Sequence, residues 1–202
     1  IRAYDLMKGA EDVDVSLFLT GNHGSTVVRH VIDNIAEYRK DCIAFFSPEK
    51  ADVVGVTSSS TATDNIIAYR ETVNKNSSYA VMDSGYKYQF DKHNDKFRYV
   101  PLNGDIAGTC AQTDQVRDPF FSPAGFTRGQ IKGVVRLPYN PKKAERDKLY
   151  QSQVNPVVSF PGEGVILYGD KTQLTKPSAF DRINVRRLFI LLEKAIANAA
   201  RF

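Results

Sequence analysis

The C-terminal part of the chain has the clearest succession of apolar and polar segments. Val157–Phe160 is a short apolar run rich in β-branched residues, which is typical of a strand. Pro161–Gly164 predicts a turn, because proline fixes φ and glycine accepts a positive φ. Val165–Tyr168 predicts a second strand. After a polar loop, a helix is expected to begin near Asp181 or Asn184, either of which can cap its first turn.

This last helix has an apolar stripe with the spacing of a helix that lies on a core. The stripe consists of Val185, Leu188, Phe189, Leu192, Ala195, Ile196 and Ala199. We therefore expect Leu188 and Leu192 to be buried against the two strands at 157–168. Arg186 and Arg187 are about 100° apart around the helix, so at least one of them is expected to point outward, toward a neighbouring molecule.

In the first half of the chain, predicted strands alternate with predicted helices. The strands are Asp12–Thr20, Cys42–Phe46 and Ser78–Asp83, and the helices run from Ser25 or Thr26 to about Lys40 and from Asp64 to Val73. The second strand is apolar throughout, as in a strand that is buried on both faces. This alternation predicts a parallel sheet with crossover helices.

The middle of the chain predicts smaller elements. They are a hairpin at 85–90 and 96–100, a loop at 101–108, a helix or tight segment at 108–114, an exposed aromatic loop at 120–125, a strand at 133–137 and a charged helix at 141–151. The predicted fold class is α/β, with a mixed, largely parallel sheet flanked by helices and a C-terminal strand-turn-strand-helix. We expect residues 1–153 to form the α/β core region and residues 154–202 to begin a C-terminal region that packs on the same core.

Composition narrows the function classes. The 202 residues are 42% hydrophobic and 25% charged with a net charge of +4, which is ordinary for a globular protein. The one basic cluster, Lys142–Lys148, alternates with acidic residues and lacks interleaved aromatic residues, so nucleic-acid binding is not expected. No run approaches the roughly 18 apolar residues of a membrane helix. Because the chain begins at Ile1 and its last helix lacks a stop signal before Phe202, we expect a fragment of a longer protein.

Metal and disulfide chemistry are not indicated by the cysteine and histidine positions. The two cysteines have no CxxC spacing and the three histidines are scattered, so no metal site and no cofactor are expected. Cys42 lies in an apolar run and is expected to be a buried thiol.

A hydrolase is the main enzymatic alternative. Asp14, His23 and a serine of the run Ser58–Ser60 occur in the chain order of a subtilisin-type triad. A working site also needs the serine at a helix start, within reach of the histidine and beside an oxyanion donor. The serine run lacks the expected local motif and is not expected at a helix start, so we predict no catalytic residues.

Two glycine-containing segments are candidates for phosphate binding. Gly21–Thr26 lies between a predicted strand and a predicted helix, where backbone amides can bind an anion. Neither this segment nor Gly104–Gly108 matches a nucleotide-binding motif. The candidate interface residues are Phe120, Phe121, Arg186 and Arg187. Alternatives stay open for both pairs: the phenylalanines anchor a folded-under loop, or the arginines pair with a carboxylate of the same chain, which is the more common use of such a pair.

Three blocks of the sequence resemble the phage tail sheath family, with its T4-like members the most similar. The blocks are VPLNGDIAGTCAQTDQVRDPFFSPAG at 100–125, VNPVVSFPGEGVILYGDKTQL at 154–174 and FDRINVRRLFILLEKAI at 180–196. Their order and spacing match the family over about 100 residues. Phe121 stands where the family often has tryptophan, and Gly169–Leu174 departs from its usual GARTL, which leaves the local contacts open.

The resemblance implies a subtilisin-like α/β layout without catalysis. It also implies a structural subunit of a contractile tail, which polymerises around the tail tube and contracts to drive the tube through the host envelope for DNA delivery. The expected partners are other sheath subunits in helically stacked six-membered rings, the tube protein, the baseplate and the tail terminator. The expected location is the virion tail, after assembly in the host cytoplasm. Two readings of another class stay open: an α/β hydrolase or nucleotide-binding enzyme, and a host-binding adhesin module.

Overall fold

A parallel sheet of four strands organises the computed structural model, which describes residues 1–200. The strands are β1 (Leu17–Leu19), β2 (Ile43–Phe46), β3 (Ala80–Asp83) and β6 (Val154–Asn155), in the order β1-β2-β3-β6. Every residue of β2 and β3 is buried, because helices cover both faces of the sheet. The parallel register pairs Leu17 with Ile43 and Ala44 with Ala80. The predicted fold class is confirmed.

The helices connect these strands and extend beyond them. They are α1 (Arg2–Asp5), α2 (Ser25–Val31, continued by a π-helical turn Ile32–Ala36 and by Glu37–Arg39), α3 (Lys50–Val53), α4 (Ser59–Val73), α5 (Asn103–Val116), α6 (Lys143–Gln151) and α7 (Ile183–Ala199). Among residues 1–200, no helix combines the length and the apolar character that crossing a membrane requires.

Two antiparallel hairpins lie beside the sheet. The first pairs β4 (Tyr86–Asp91) with β5 (Lys96–Pro101), and the second pairs β7 (Val157–Phe160) with β8 (Gly164–Leu167). The first was predicted from alternation around a turn, and the second from two short apolar runs around a Pro-Gly turn. Val157 and Leu167 of the second hairpin lie in the same hydrophobic cluster as Ile43, Phe45 and Val81 of the sheet.

Several predicted elements differ from those observed. Helix α4 begins at Ser59 rather than Asp64, and Lys50–Val53 forms a further short helix. Helix α5 begins at Asn103 and includes most of the predicted 101–108 loop, because burial of Ile106 and Ala107 outweighs the low helix propensity of the two glycines. The predicted strand at 133–137 is wrong: only Arg136 forms a bridge, to Tyr88, and Gly133 has a positive φ of 69°.

Candidate functional site

The carboxyl edge of the parallel sheet is where ligands bind in open α/β folds, and here it is closed by a buried polar cluster. Ser47 follows β2 and donates a hydrogen bond to Asp83 Oδ2 at 2.7 Å, while the Gly85 amide donates to Asp83 Oδ1 at 2.8 Å. The backbone N and Nδ2 of Asn103 both donate to Ser47 Oγ at 3.1 Å. Burial raises the pKa of Asp83 to about 8. These groups satisfy one another rather than facing a cleft.

The end of the next strand, β6, is also tied to its neighbours by a buried polar side chain. Asn155 donates through Nδ2 to the carbonyls of Met82 at 3.1 Å and Lys171 at 2.8 Å, and its Oδ1 accepts from the Lys171 amide at 2.7 Å. A Cβ on Gly169 would lie 3.0 Å from both Asn155 Oδ1 and Pro156 Cδ, so a glycine is needed for this close approach. These contacts join the segments that precede and follow the second hairpin to the end of β3.

The candidate triad is not assembled in the described part of the chain. Asp14 Oδ1 accepts from Lys194 Nζ at 2.8 Å, and Ser59 Oγ donates to Glu145 Oε2 at 2.7 Å. Ser58 accepts from the Thr61 amide at 3.4 Å and so caps α4. The expectation that the serines lack a helix-start position is thus wrong, yet none of them hydrogen-bonds His23 within residues 1–200.

The two glycine-containing segments also have structural environments. Gly104–Gly108 lies inside α5 and cannot form a phosphate loop. Gly21–Thr26 keeps the expected strand-loop-helix position, but its carbonyls point at neighbouring side chains: Asn103 Nδ2 donates to Gly21 O at 2.8 Å, and Tyr69 donates to His23 O at 3.5 Å. No group of residues among 1–200 has the composition of a metal site.

Arg186 and Arg187 on α7 are both buried, each with 9% of its surface exposed. The Arg186 guanidinium lies between the rings of Tyr79 and Phe180, at 4.2 and 4.1 Å from their centroids, and donates to the Tyr79 hydroxyl at 3.1 Å. Arg187 donates to the Cys110 carbonyl at 3.2 Å and forms an ion pair with Asp114. The expectation that one arginine points outward is therefore wrong.

The buried face of α7 is the opposite of the predicted one. Its buried residues are Ile183, Arg186, Arg187 and Ile190, whereas Leu188 is only half-buried and Leu192 is 43% exposed. These buried positions also follow helical spacing. The aliphatic parts of the two arginine side chains pack in the interior, while their guanidinium groups contact hydrogen-bonding or aromatic partners. The predicted burial of Leu188 and Leu192 is wrong, because a prediction from apolar residues alone does not count the two arginines of the buried face.

We expect Arg187→Ala to lower the free energy of unfolding by roughly 1–3 kcal/mol, because it removes a hydrogen-bonded ion pair that joins α7 to α5. Asp114→Ala and the double variant complete a thermodynamic cycle, measured by urea unfolding of the chain. Additive losses would mean that the two side chains do not stabilise one another. Lys176→Ala, on an exposed loop, is the control for loss of a positive charge.

Phe120 and Phe121 are exposed on a loop that the chain itself anchors. Phe120 is 56% exposed, and its carbonyl accepts from Asn184 Nδ2 at 2.8 Å. The Arg128 guanidinium lies 5.4 Å from the centre of the Phe121 ring. The loop is thus fixed to the start of α7 while its rings face outward.

A further exposed surface was absent from the expectations. Tyr88 and Phe90 of β4 share one side of the first hairpin with Phe97 and Tyr99 of β5, a set that we name the aromatic face. Ring centroids are 5.3 Å apart for Tyr88 and Phe97, 4.7 Å for Tyr88 and Tyr99, and 5.1 Å for Phe90 and Phe97. Strict alternation in YKYQF and KFRYV was the available signal.

Comparisons with known proteins agree on one family. The family model for the phage tail sheath protein central domain matches residues 3–173 of this chain. The tail sheath protein of Vibrio phage KVP40 is 48% identical over 217 residues, covering 98% of this chain and 32% of the relative. That of Enterobacteria phage T4 is 43% identical over 217 residues, covering 100% of this chain and 33% of the relative. The chain thus spans about a third of the length of these curated relatives.

Two solved sheath structures share the fold. The sheath complex of an extracellular contractile injection system, PVC, in its contracted state has a TM-score of 0.74 at 17% identity, over 94% of this chain and 48% of that one. The contracted helical sheath of the anti-feeding prophage has a TM-score of 0.70 at 17% identity, over 95% and 48%. These likenesses concern the fold alone. Together with the domain match and the two close relatives, the sequence resemblance is confirmed, and the chain belongs to the phage tail sheath protein family.

Proposed function

We propose that this chain forms the central body of a subunit in the contractile tail sheath of a bacteriophage. The subunit polymerises around the tail tube and contracts to drive the tube through the host envelope for DNA delivery. The observation that carries the proposal is the family match over residues 3–173, supported by the fold shared with contracted sheaths. A contact that does not close on itself builds a helical array, and stored work needs two packings of rigid subunits.

The proposed partners follow from this role. Sheath subunits stack as six-membered rings in a helix, contact the tail tube on the inside, and meet the baseplate and the tail terminator at the two ends. The proposed location is the virion tail, with assembly in the host cytoplasm. No contact with nucleic acid and no membrane insertion are part of the proposal.

We propose a structural rather than a catalytic role. The closed carboxyl edge supports it, because Ser47, Asp83 and Asn103 hydrogen-bond one another where an enzyme of this topology would hold a ligand. The separate environments of Asp14 and the serine run weaken the hydrolase alternative. No cofactor is proposed.

The proposed organisation divides the chain into a core region, 1–153, and the beginning of a C-terminal region, 154–202. Burial of Val157 and Leu167 in the core cluster supports packing of the second part on the first. Arg201 and Phe202 lie outside the described residues. Phe120 and Phe121 remain proposed contacts with a neighbouring subunit. An interface role of Arg186 and Arg187 stays a prediction. The buried contacts of these two arginines support a role in holding α7 in place.

The proposal predicts that a full-length sheath subunit carrying this chain forms hollow tubes with sixfold symmetry, seen by electron microscopy. Phe46→Asp places a charge in the fully buried β2 and serves as the control, since its chain should neither fold nor form tubes. A folded wild-type subunit that stays monomeric or forms only closed rings at every concentration tested would contradict the proposal.

A further inference from the structure

The aromatic face of the first hairpin is a partly exposed surface that residues 1–200 leave uncovered. Phe97 is 50% exposed and Phe90 is 47% exposed, although both are in ring contact with each other. The hairpin has only two strands, and an isolated two-stranded hairpin gains little stability from its own pairing. Exposed aromatic clusters of this kind mark interaction sites on soluble proteins.

Two cations border the aromatic face without an acidic partner among residues 1–200. The Arg136 guanidinium lies 4.8 Å from the Tyr88 ring centre and donates to the Tyr99 hydroxyl at 3.0 Å. Lys50 Nζ lies 5.7 Å from the Tyr99 ring centre. Aromatic residues and arginine are the side chains that contribute most at protein interfaces. The surface therefore fits a partner that offers apolar groups beside a carboxylate.

A surface of that complementary chemistry lies near the N-terminus of the same chain. We name it the acidic loop, residues 6–13, which contains the exposed apolar residue Leu6 and the exposed acids Glu11 and Asp12. Its one cation is Lys8, whose Nζ lies 4.4 Å from the centre of the Tyr38 ring, so the two acids outnumber it. Glu11 and Asp12 form no ion pair within the described residues. Leu6 is 78% exposed. The loop thus combines carboxylates with uncovered apolar surface.

The acidic loop is ordered by a buried arginine. Arg39 donates to the carbonyls of Met7 at 2.6 Å, Gly9 at 3.3 Å and Val13 at 2.7 Å. Its side chain is fully buried and also pairs with Asp41 at 2.8 Å. A loop held in one conformation loses less entropy on binding, which favours its use as a contact.

The two surfaces lie at opposite ends of the parallel strands. Arg39 and Asp41 precede β2, so the acidic loop is at the amino edge of the sheet, whereas the hairpin follows β3 at the carboxyl edge. A contact between these surfaces cannot form within one copy by simple closure and instead joins copies head to tail. Such a heterologous contact propagates as an open helix when its rotation does not close a ring.

We propose that the aromatic face of one sheath subunit, with Lys50 and Arg136, binds the acidic loop of the next copy of this chain. This inference rests on the proposed function, because it assigns a contact to the polymer that the sheath requires. The apolar part of the contact joins Leu6 to the exposed phenylalanines, and Glu11 faces the bordering cations.

The test compares Lys50→Glu with Lys96→Glu in a full-length sheath subunit carrying this chain. Lys96 is exposed on the same hairpin, and its side chain is on the opposite side from that of Phe97, because neighbouring residues of a strand alternate. Lys96→Glu therefore makes the same charge change away from the aromatic face. At low ionic strength we expect Lys50→Glu to raise the critical concentration for tube formation, measured by sedimentation, roughly five- to tenfold. Lys96→Glu is expected to leave it unchanged, with both melting temperatures equal to wild type.

Rescue identifies the occupant of the aromatic face. Adding Glu11→Lys to Lys50→Glu restores opposite charges across the contact and is expected to return the critical concentration to near the wild-type value. Equal behaviour of Lys50→Glu and Lys96→Glu, or a Lys50→Glu defect that Glu11→Lys does not rescue, would overturn the inference. Failure of the wild-type subunit to form tubes would instead contradict the proposed function.

Discussion

The Ile183→Ala variant is expected to lose roughly 2–5 kcal/mol of unfolding free energy, the range for removing a large aliphatic side chain from a packed core. Ile183 is the first residue of α7, is fully buried, and lies in the cluster that contains Val157 and Leu167. The amide of Ile183 also donates to the Asp170 carbonyl at 2.8 Å, which fixes the backbone at this position. The backbone therefore cannot easily move to fill the cavity that the alanine substitution leaves.

Leu192→Ala is the matched control, because it removes an aliphatic side chain of the same composition from the same helix. Leu192 is 43% exposed, and alanine favours helix, so a loss below about 1 kcal/mol is expected. Urea unfolding of the 202-residue chain, followed by circular dichroism, measures both variants. A loss for Leu192→Ala as large as that for Ile183→Ala would mean that α7 buries the face predicted from its apolar stripe.

The elements with purely apolar or strictly alternating patterns could be predicted from the sequence. Strand β2 has four consecutive apolar residues that are all buried, and apolar and polar residues alternate along the two strands of the β4–β5 hairpin. Both sequence patterns therefore match the burial of these residues in the folded chain. The buried face of α7 could not be found in this way. Arg186 and Arg187 occupy core-facing positions because Tyr79 and Asp114, both distant in sequence, and the nearby Phe180 surround them.

The closed carboxyl edge was equally beyond local patterns. Ser47, Asp83 and Asn103 come from three separate segments, and each alone looks like a strand or helix terminus. Their meeting depends on the register of the parallel sheet, in which Phe46 pairs with Met82. The family resemblance identified the role of the chain without indicating this cluster, because its motifs lie mainly in later segments.

The cluster around Asp83 makes the stability of the chain depend on pH. Asp83 is buried, and desolvation raises its pKa from the ordinary 3.8 to about 8, although hydrogen bonds from Ser47 and Gly85 act in the opposite direction. Between these two values, the folded chain binds a proton at Asp83 that the unfolded chain has released. The stabilisation is therefore complete below about pH 4 and is lost as the pH rises toward 8.

We expect the free energy of unfolding of the wild-type chain to fall between pH 5 and pH 8, with Asp83 contributing at most about 1.4 kcal/mol per pH unit. Asp83→Asn cannot ionise and is expected to remove most of this slope. Burial also raises the pKa of Asp105, against its ion pair with Lys87, and this adds a pH dependence of the same sign. Asp118→Asn, at an exposed position, is the control and should keep the wild-type slope. Urea unfolding at each pH measures all three chains, and a wild-type stability that rises across this interval would show that Asp83 is ionised in the folded state.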